Sequence, residues 1–268
     1  MKNKLSIILL ALAVTLSVQS AKAWSTWGHH VTAYIAEQHL TPEAKAKCEQ
    51  YLEHSLPHYS SWQDYWRHSS PFKEMHHWHM NYVGTNLRTI GSKGDVTRDA
   101  VTQIERVYKE LANGNYHKLS DSMVKVNLKL LIHMVGDMHC PCHVGYPKEL
   151  GLKGTSMYVK GKKYDRHKFW DAAPELMHPK WRLDNYLKAC DTYNAKEIKK
   201  IQKGTPTKWG LENAKKIKAT FTYWEKKAEL TKISKEQRKQ INDTGVGGVF
   251  VHVPPVSIGI ACRTEPIV

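Results

Sequence analysis

The sequence predicts a mainly α-helical, single-domain bundle with one small β-hairpin. Three observations lead to this prediction: apolar residues recur at helical spacing over most of the chain, N-cap and proline signals open helices, and only one short stretch has the pattern of paired strands. The 268 residues, 41% of them hydrophobic, are enough to bury a sizeable core. No internal repeat and no linker rich in Pro, Gly or Ser precedes residue 244, so one domain is the economical division.

Each element has a local signal. Thr41 and Pro42 supply an N-cap and a first-turn proline for a helix that runs to Tyr51. The other predicted helices cover residues 28–40, 95–111, 120–139, 184–203, 206–230 and 234–241. The hairpin covers residues 155–164, TSMYVKGKKY, and turns at Lys160-Gly161.

Residues 1–23 have the pattern of a secretory signal. Lys2 and Lys4 precede an apolar run from Leu5 to Val18, and Ala21 and Ala23 form a small-x-small cleavage site. The alternative is a retained membrane anchor, but the run is shorter than the roughly 20 residues that a spanning helix needs. We expect cleavage after Ala23 and a mature protein outside the cytosol, either periplasmic or secreted, with no membrane span and acting as a monomer.

Charge and cysteine content fit that location. The full chain carries +15, and since the leader holds three lysines and no acids, the mature chain keeps +12. Such a charge favours polyanions, nucleic acid or anionic lipid, without indicating a chemistry. Five cysteines are compatible with one or two disulfide bonds whose pairing the sequence does not reveal. Cys140-Pro-Cys142 could offer soft zinc ligands, although a CxC without a second thiol pair nearby is a weak signal.

The segment LLIHMVGDMHCPCHVG, residues 131–146, places imidazoles and a carboxylate in an apolar helix. Buried polar groups are costly unless they are paired or bind a metal, so this segment needs a partner. His133 and Asp137 lie four residues apart and share a helix face, whereas His139 is turned away from it. Pro141 should end the helix and leave His143 on the loop beyond, within reach of the same cavity.

The pattern recurs elsewhere in the chain. Downstream, His167 and Asp171 repeat the four-residue spacing, and upstream two tryptophan-rich stretches contain Asp64 and His79. Zinc accepts imidazole nitrogen and carboxylate oxygen, and catalytic zinc sites keep one position open. These acids and imidazoles exceed what one tetrahedral ion can bind, so more than one ion is predicted.

The processed chain start would add a further ligand. Cleavage after Ala23 leaves Trp24 first, with His29 five residues later. A terminal amine has a pKa of about 8, so a metal can displace its proton at little cost and chelate the amine together with the Trp24 carbonyl. This chelate would exist only in the processed protein.

Taken together, these elements resemble the zinc-dependent S1/P1 nucleases, secreted enzymes related in fold to bacterial zinc phospholipase C. The elements stand in the family's order over roughly residues 24–243. They are Trp24 with WGH at 27–29, WxD at 62–64, WH at 78–79, HxxxDxxxxxH at 133–143 and HKFWD at 167–171. The resemblance implies a helical bundle of the phospholipase C/P1 nuclease type.

The resemblance also implies three zinc ions. The first would be held by Asp64, His79, His133 and Asp137. The second would take the Trp24 amine and carbonyl, His29 and the other oxygen of Asp137, so that Asp137 bridges the pair. The third would be held by His143, His167 and Asp171. Four histidines match no ligand position and are expected to be structural or to lie around the ligands: His30, His76, His77 and His139.

Catalytic and substrate-binding roles follow from the same comparison. Zinc lowers the pKa of bound water to about 7, and paired ions can hold the attacking and leaving oxygens of a phosphodiester. Asp137 and Asp64 would hold this pair. Arg67 matches a family arginine near the scissile phosphate; the alternative is a solvated surface arginine. Tyr82 could offer a face on which a base stacks, the alternative being core packing, and Thr155 lies in Lys153-Gly154-Thr155, where relatives tend to show GGN.

The predicted division of the chain is a signal peptide at 1–23, a zinc-dependent nuclease domain at 24–244 and an atypical C-terminal tail at 245–268. The tail is glycine-rich, β-branched and broken by Pro254-Pro255, so it cannot continue a helix. It is either a lineage-specific addition or a disrupted end.

Three functions remain open at this point. The first is a secreted nuclease that cleaves single-stranded DNA and RNA to 5′-phosphorylated products and acts on 3′-nucleotides. The second is a zinc phospholipase C-like hydrolase, which the basic charge and the short spacing from Trp24 to His29 disfavour. The third is a basic, non-catalytic nucleic-acid- or zinc-binding protein.

Overall fold

A long helix, Asp121–His139, forms the centre of the fold, and other helices pack around it. The computed structural model describes residues 25–150, 156–159 and 162–230. Its α-helices are α1 (Thr26–Gln38), α2 (Pro42–Tyr51), α3 (Leu56–Tyr59), α4 (Trp62–Trp66), α5 (Ala100–Leu111), α6 (Asp121–His139), α7 (Arg166–Asp171), α8 (Ala173–Met177), α9 (Leu183–Cys190), α10 (Ala195–Gln202) and α11 (Pro206–Leu230). Its strands are β1 (Asn81–Tyr82), β2 (Val144–Gly145), β3 (Ser156–Val159) and β4 (Lys162–Asp165). The prediction of a mainly α-helical fold is confirmed.

Helix α6 has the bounds that its sequence predicts. The Ser120 hydroxyl accepts the first-turn N–H of Met123 at 3.3 Å, and the helix ends at His139, two residues before Pro141. Its second half is buried on nearly every side because α1, α4 and α5 all pack against it. Helix α5 contributes a single apolar face to this core, formed by Val101, Ile104, Val107 and Leu111.

Two predicted helices differ from the structure by more than two residues at an end. Residues 95–99 form a turn, and α5 begins only after Asp99, whose carboxylate accepts the N–H of Val101 at 2.8 Å. The predicted helix at 184–203 is wrong as one element, since α9 ends at Cys190 and α10 begins at Ala195. Asn194 starts the new helix by accepting the N–H groups of Lys196 and Glu197. An Asn side chain competes with a continuous helix in this way.

Two strand pairs complete the fold. In the predicted hairpin, β3 pairs antiparallel with β4, with Val159 opposite Lys162; the expected turn at residues 160–161 lies outside the described residues. The pairing of β1 with β2 is parallel and was not expected from the sequence. It places Tyr82 opposite Gly145, two residues beyond His143.

Several predictions fall on residues that the structure does not describe. These are the leader at 1–23, Trp24, Thr155, the helix at 234–241 and the tail at 245–268. Within the described part, none of the helices combines the length and apolarity needed to cross a membrane. The four cysteines of that part, Cys48, Cys140, Cys142 and Cys190, are free thiols, so no disulfide bond joins them.

Candidate metal centre

The end of α6 supplies the centre of a buried polar cluster. His133 and Asp137 lie on the same face, as their spacing predicts, with His133 Nε2 3.2 Å from Asp137 Oδ2. After the helix, a 3₁₀ turn at Pro141–His143 returns His143 towards the helix, and its Nδ1 lies 2.8 Å from Asp137 Oδ1. The proline therefore ends the helix and positions the next imidazole.

The Asp137 carboxylate has imidazoles on both of its oxygens. Oδ2 lies 2.9 Å from His79 Nδ1 and 3.2 Å from His133 Nε2. Oδ1 lies 2.8 Å from His143 Nδ1 and 3.3 Å from His29 Nε2. The side chain is fully buried. One carboxylate thus faces two separate sets of donor atoms.

A backbone hydrogen bond and a ring-stacking contact orient two of the imidazoles. The Nδ1–H of His133 donates to the Ser60 carbonyl at 2.7 Å, which leaves its Nε2 directed at the cluster. His29, carried by α1, stacks on His133 with ring centroids 4.1 Å apart. These contacts join α1 and α6 directly at the polar cluster.

Helix α4 places Asp64 at the edge of the same cluster. Asp64 Oδ1 lies 3.9 Å from His79 Nδ1, and Asp64 Oδ2 lies 4.0 Å from His29 Nε2. One turn later, Arg67 Nη1 lies 3.4 Å from Asp64 Oδ1. Both side chains are largely buried, so Arg67 is not a solvated surface arginine.

A second cluster surrounds Asp171, the last residue of α7. Its Oδ2 lies 3.3 Å from His167 Nε2, one turn earlier in the same helix, and its Oδ1 lies 3.4 Å from His143 Nε2. His143 therefore lies between the two clusters, with one ring nitrogen towards each. Asp171 is buried, whereas the His167 side chain is 47% exposed.

The pKa values of Asp137 and the surrounding histidines are strongly shifted. Burial alone would raise the pKa of Asp137, but the facing His143 and His133 outweigh burial and hold it well below its usual range. Burial would lower the pKa of His143, but Asp137 raises it well above normal. Burial lowers the pKa of His79 to about 4, although Asp137 opposes the shift. The centre is a buried, ionised carboxylate that a cation would stabilise.

Comparison with known proteins identifies the family. A model of the S1/P1 nuclease family matches residues 24–245. The chain belongs to the S1/P1 nuclease family. Membership makes it a hydrolase acting on phosphodiester bonds, with nucleic acid as its class of substrate.

Individual relatives of the S1/P1 family are distant. Endonuclease 1 of Arabidopsis thaliana is 24% identical over 74% of this chain and 68% of its own length. Nuclease S1 of Aspergillus oryzae is 24% identical over 59% of this chain, and Endonuclease 4 of Arabidopsis thaliana is 27% identical over 60%. The chain spans 57% and 58% of the lengths of these last two relatives.

The residues present fit the zinc ions on which S1/P1 nucleases depend. Ligand bonds of about 2.0–2.2 Å in a tetrahedron place neighbouring donor atoms about 3.3 Å apart. Around Asp137 Oδ2 the separations are 2.9 Å to His79, 3.2 Å to His133 and 3.1 Å between those two imidazoles. Among the described residues, the buried Oδ1 atoms of Asp64 and Asp137 accept no hydrogen bond, which a bound cation would compensate.

Some predicted positions lie away from this centre. Trp24 and Thr155 are outside the described residues, and Tyr82 is half-buried beside Gly145. His139 is buried on α6, where its Nδ1–H donates to the Val135 carbonyl at 2.8 Å. His76 is exposed and His30 and His77 are partly exposed.

Two cysteines also lie at the second cluster. The thiols of Cys140 and Cys142 lie 3.6 and 3.2 Å from Asp171 Oδ1. Among the described residues, three groups could hold a metal: Asp64 with His79 and His133; His29 with His133 and Asp137; and Cys140 and Cys142 with His143 and Asp171. The CxC spacing was the available signal; the resemblance grouped Asp171 with His143, the residue after Cys142, but did not include the thiols.

Proposed function

We propose that this protein is an exported, zinc-dependent nuclease that cleaves single-stranded DNA and RNA to 5′-phosphorylated products and removes phosphate from 3′-nucleotides. One observation carries the proposal: the two oxygens of Asp137 face two different sets of imidazoles. A carboxylate in this position could bridge two cations, and paired cations can hold the attacking and leaving oxygens of a phosphodiester. The enzyme would act as a monomer in the periplasm or outside the cell.

We assign three ions to the described donors and to the chain start. The first would be held by Asp64, His79, His133 and Asp137. The second would be held by His29, Asp137 and the amine and carbonyl of Trp24. The third would be held by His143, His167 and Asp171. Support comes from the donor separations, which are 2.9–3.9 Å in the first set, 3.3 Å between His29 and Asp137, and 3.3–3.4 Å in the third.

The protein's own groups would then have distinct tasks. Bound zinc supplies Lewis acidity and lowers the pKa of water to about 7. Asp137 and Asp64 would hold anionic oxygens at fixed positions among buried imidazoles. Arg67, fixed by Asp64, can donate N–H groups to a non-bridging phosphate oxygen, since a guanidinium remains charged at any physiological pH. Asp64 itself thus serves both a cation and Arg67.

The start of the described chain supports the role of Trp24. The Ser25 N–H donates to the Asp171 carbonyl at 2.7 Å, and the Ser25 hydroxyl accepts the N–H of Gly28 at 3.3 Å, which opens α1. These two bonds hold the beginning of α1 beside α7, one turn before His29. A free amine on the preceding residue would then be available only after cleavage at Ala23.

Nucleic acid as substrate agrees with charge and with exposed aromatic rings. The mature chain keeps a charge of +12, which attracts a phosphate backbone. Tyr65 and Trp66, between Asp64 and Arg67, are 64% and 46% exposed and present faces on which unpaired bases can stack. Tyr82, on β1 opposite Gly145, is the second candidate surface.

The substrate class is tested by giving the protein, expressed from the full gene and processed, two substrates. Single-stranded DNA and phosphatidylcholine vesicles are each incubated with and without a zinc chelator. Release of 5′-nucleotides that stops on chelation is expected. Release of phosphocholine would identify a phospholipase instead, and zinc binding without either product would identify a binding protein.

The chain start is tested separately. A version that begins at Trp24 is compared with one that carries an extra alanine before it, so that the Trp24 amine becomes an amide. The extended version should bind less zinc and lose activity, because an amide nitrogen is a poor ligand at neutral pH. Equal zinc content in both versions would remove the amine from the second set while leaving Asp137 as a possible bridge.

A further inference from the structure

Two thiols lie against the carboxylate assigned to the third ion. Cys142 Sγ is 3.2 Å and Cys140 Sγ is 3.6 Å from Asp171 Oδ1, and the two sulfurs are 3.2 Å apart. Both side chains are buried, with 0% of Cys140 and 6% of Cys142 exposed. The role assigned to this site above uses neither thiol.

The backbone holds both thiols in this position. Cys140 caps α6 through its N–H, which donates to the Asp137 carbonyl at 2.9 Å, and the His143 N–H donates to the Cys140 carbonyl at 3.0 Å. Between them, Pro141 restricts the turn. The same short turn therefore fixes two sulfurs and one imidazole with respect to Asp171.

These groups have the spacing of a common ligand set. One ligand atom from each of Cys140, Cys142, His143 and Asp171 lies within 4.8 Å of every other. Zinc–sulfur bonds of about 2.3 Å and zinc–oxygen bonds of about 2.0–2.2 Å place neighbouring ligands roughly 3.4–3.8 Å apart in a tetrahedron. The observed separations of 3.2–3.6 Å need little adjustment to reach this geometry.

Burial separates these donors from His167. Cys140, Cys142, His143 and Asp171 are all buried, whereas the His167 side chain is 47% exposed and meets the other oxygen of Asp171. The buried groups could complete a four-ligand sphere by themselves. His167 would then be the more exchangeable ligand.

We propose that Cys140 and Cys142 ligate the third ion together with His143 and Asp171, so that this chain has a thiolate-containing metal site. The inference rests on the proposed function for the presence of an ion at this place. Each thiol loses its proton to solvent as its metal–sulfur bond forms, with no change in oxidation state. Thiolate ligands favour soft cations, so this site should bind Zn²⁺ or Cd²⁺ in preference to Mg²⁺ or Mn²⁺.

Cobalt provides a readout that does not depend on activity. The processed full-length protein is stripped of metal under reducing conditions and reconstituted with Co²⁺, whose thiolate complexes show ultraviolet charge-transfer absorption. The parent protein should show this band in addition to the visible bands of the other cobalt sites. A double variant, Cys140→Ser with Cys142→Ser, should lose the charge-transfer band and keep the visible bands.

Two other cysteines provide the matched control. Cys48, on α2, and Cys190, at the end of α9, belong to none of the metal-binding groups of the described residues. A Cys48→Ser, Cys190→Ser variant should keep the band at full intensity. Should the first double variant fail to fold by circular dichroism, Cys142→Ser alone should weaken the band.

The possible outcomes separate this inference from the proposed function. Visible cobalt bands and DNA cleavage without a charge-transfer band in the parent would overturn the thiolate site and leave the nuclease proposal intact. A Cys140–Cys142 disulfide, found by mass spectrometry in the metal-loaded protein, would also overturn the thiolate site. Absence of any cobalt binding would contradict both proposals.

Discussion

Gly136 of α6 lies directly against the His29 ring of α1. A methyl group at Gly136 would lie 2.5 Å from His29 Nδ1, and side-chain Cβ atoms in proteins essentially never come this close to a non-bonded atom. The glycine therefore lets α1 and α6 approach until His29 reaches the carboxylate one residue further along α6. The glycine lies in the middle of a helix, where its backbone entropy is a cost that this approach offsets.

We expect Gly136→Ala to displace His29 and to lower zinc content and DNA cleavage together. On helix propensity alone, the change should stabilise the protein by about 1 kcal/mol, so a loss would arise from the contact with His29. Elemental analysis and cleavage assays provide the measurement. Gly210→Ala is the control, because its methyl group would meet Val101 at 2.7 Å and would contact none of the candidate ligands. That variant should lose stability and retain zinc.

Asp137→Asn should reduce turnover more than Asp64→Asn. Asp137 contacts four imidazoles through two oxygens, whereas Asp64 lies only at the edge of the cluster. The loss in Asp137→Asn should exceed the roughly 10- to 100-fold typical of removing an outer-shell partner of a metal site. Turnover and zinc per chain are measured for both variants. An Asp137→Asn protein with parental activity would exclude a bridging carboxylate.

Arg67→Lys should retain zinc and lose part of its catalytic efficiency. Lysine keeps the charge but not the planar set of donors that meets Asp64 and could meet a phosphate. Loss of a hydrogen bond to a charged group corresponds to about 1.5–3 kcal/mol, or roughly 10- to 150-fold in kcat/KM. Steady-state kinetics on a dinucleotide test this. A proportional loss of zinc would instead show that Arg67 acts only by positioning Asp64.

Acid should destabilise the protein through His139. Burial lowers the pKa of His139 to about 4, so the unfolded chain binds a proton between pH 6.5 and 4 that the folded chain does not. His139 therefore leaves the free energy of unfolding unchanged above pH 6.5. As the pH falls from 6.5 to 4, that free energy decreases by up to about 3 kcal/mol. Urea unfolding with chelator present should show a shallower pH dependence in His139→Gln. If the parent and the His139→Gln variant showed the same pH dependence of stability, the lowered pKa of His139 would be contradicted.

Chelation should lower the melting temperature. Bound cations stabilise the folded state by about 2.7 kcal/mol when their concentration is 100 times the dissociation constant. For a chain of this size, that corresponds to roughly 5–10 °C. Calorimetry with and without chelator measures the shift. The Asp137→Asn variant should show a smaller shift than the parent. If the melting temperature of the parent did not change on chelation, no ion would bind to the folded protein with useful affinity.

Local signals were sufficient for much of the fold. The end of α6 followed from Pro141, and the shared face of His133 and Asp137 followed from their spacing, because both depend on backbone geometry within a few residues. The prediction of one helix over 184–203 is wrong because Asn194 caps a new helix at Ala195, which the helical periodicity of the segment does not indicate.

The sequence by itself determined the types of donor, their order along the chain and the family to which they belong, since helix periodicity and motif spacing are properties of the chain. The resemblance grouped these donors, but the tertiary structure decided how close together they lie. The contacts of Asp137 with His29, of His143 with Asp171 and of Cys142 with Asp171 join residues on different elements. They depend on how closely α1, α6 and α7 pack, and a single missing side chain at Gly136 sets one of those distances.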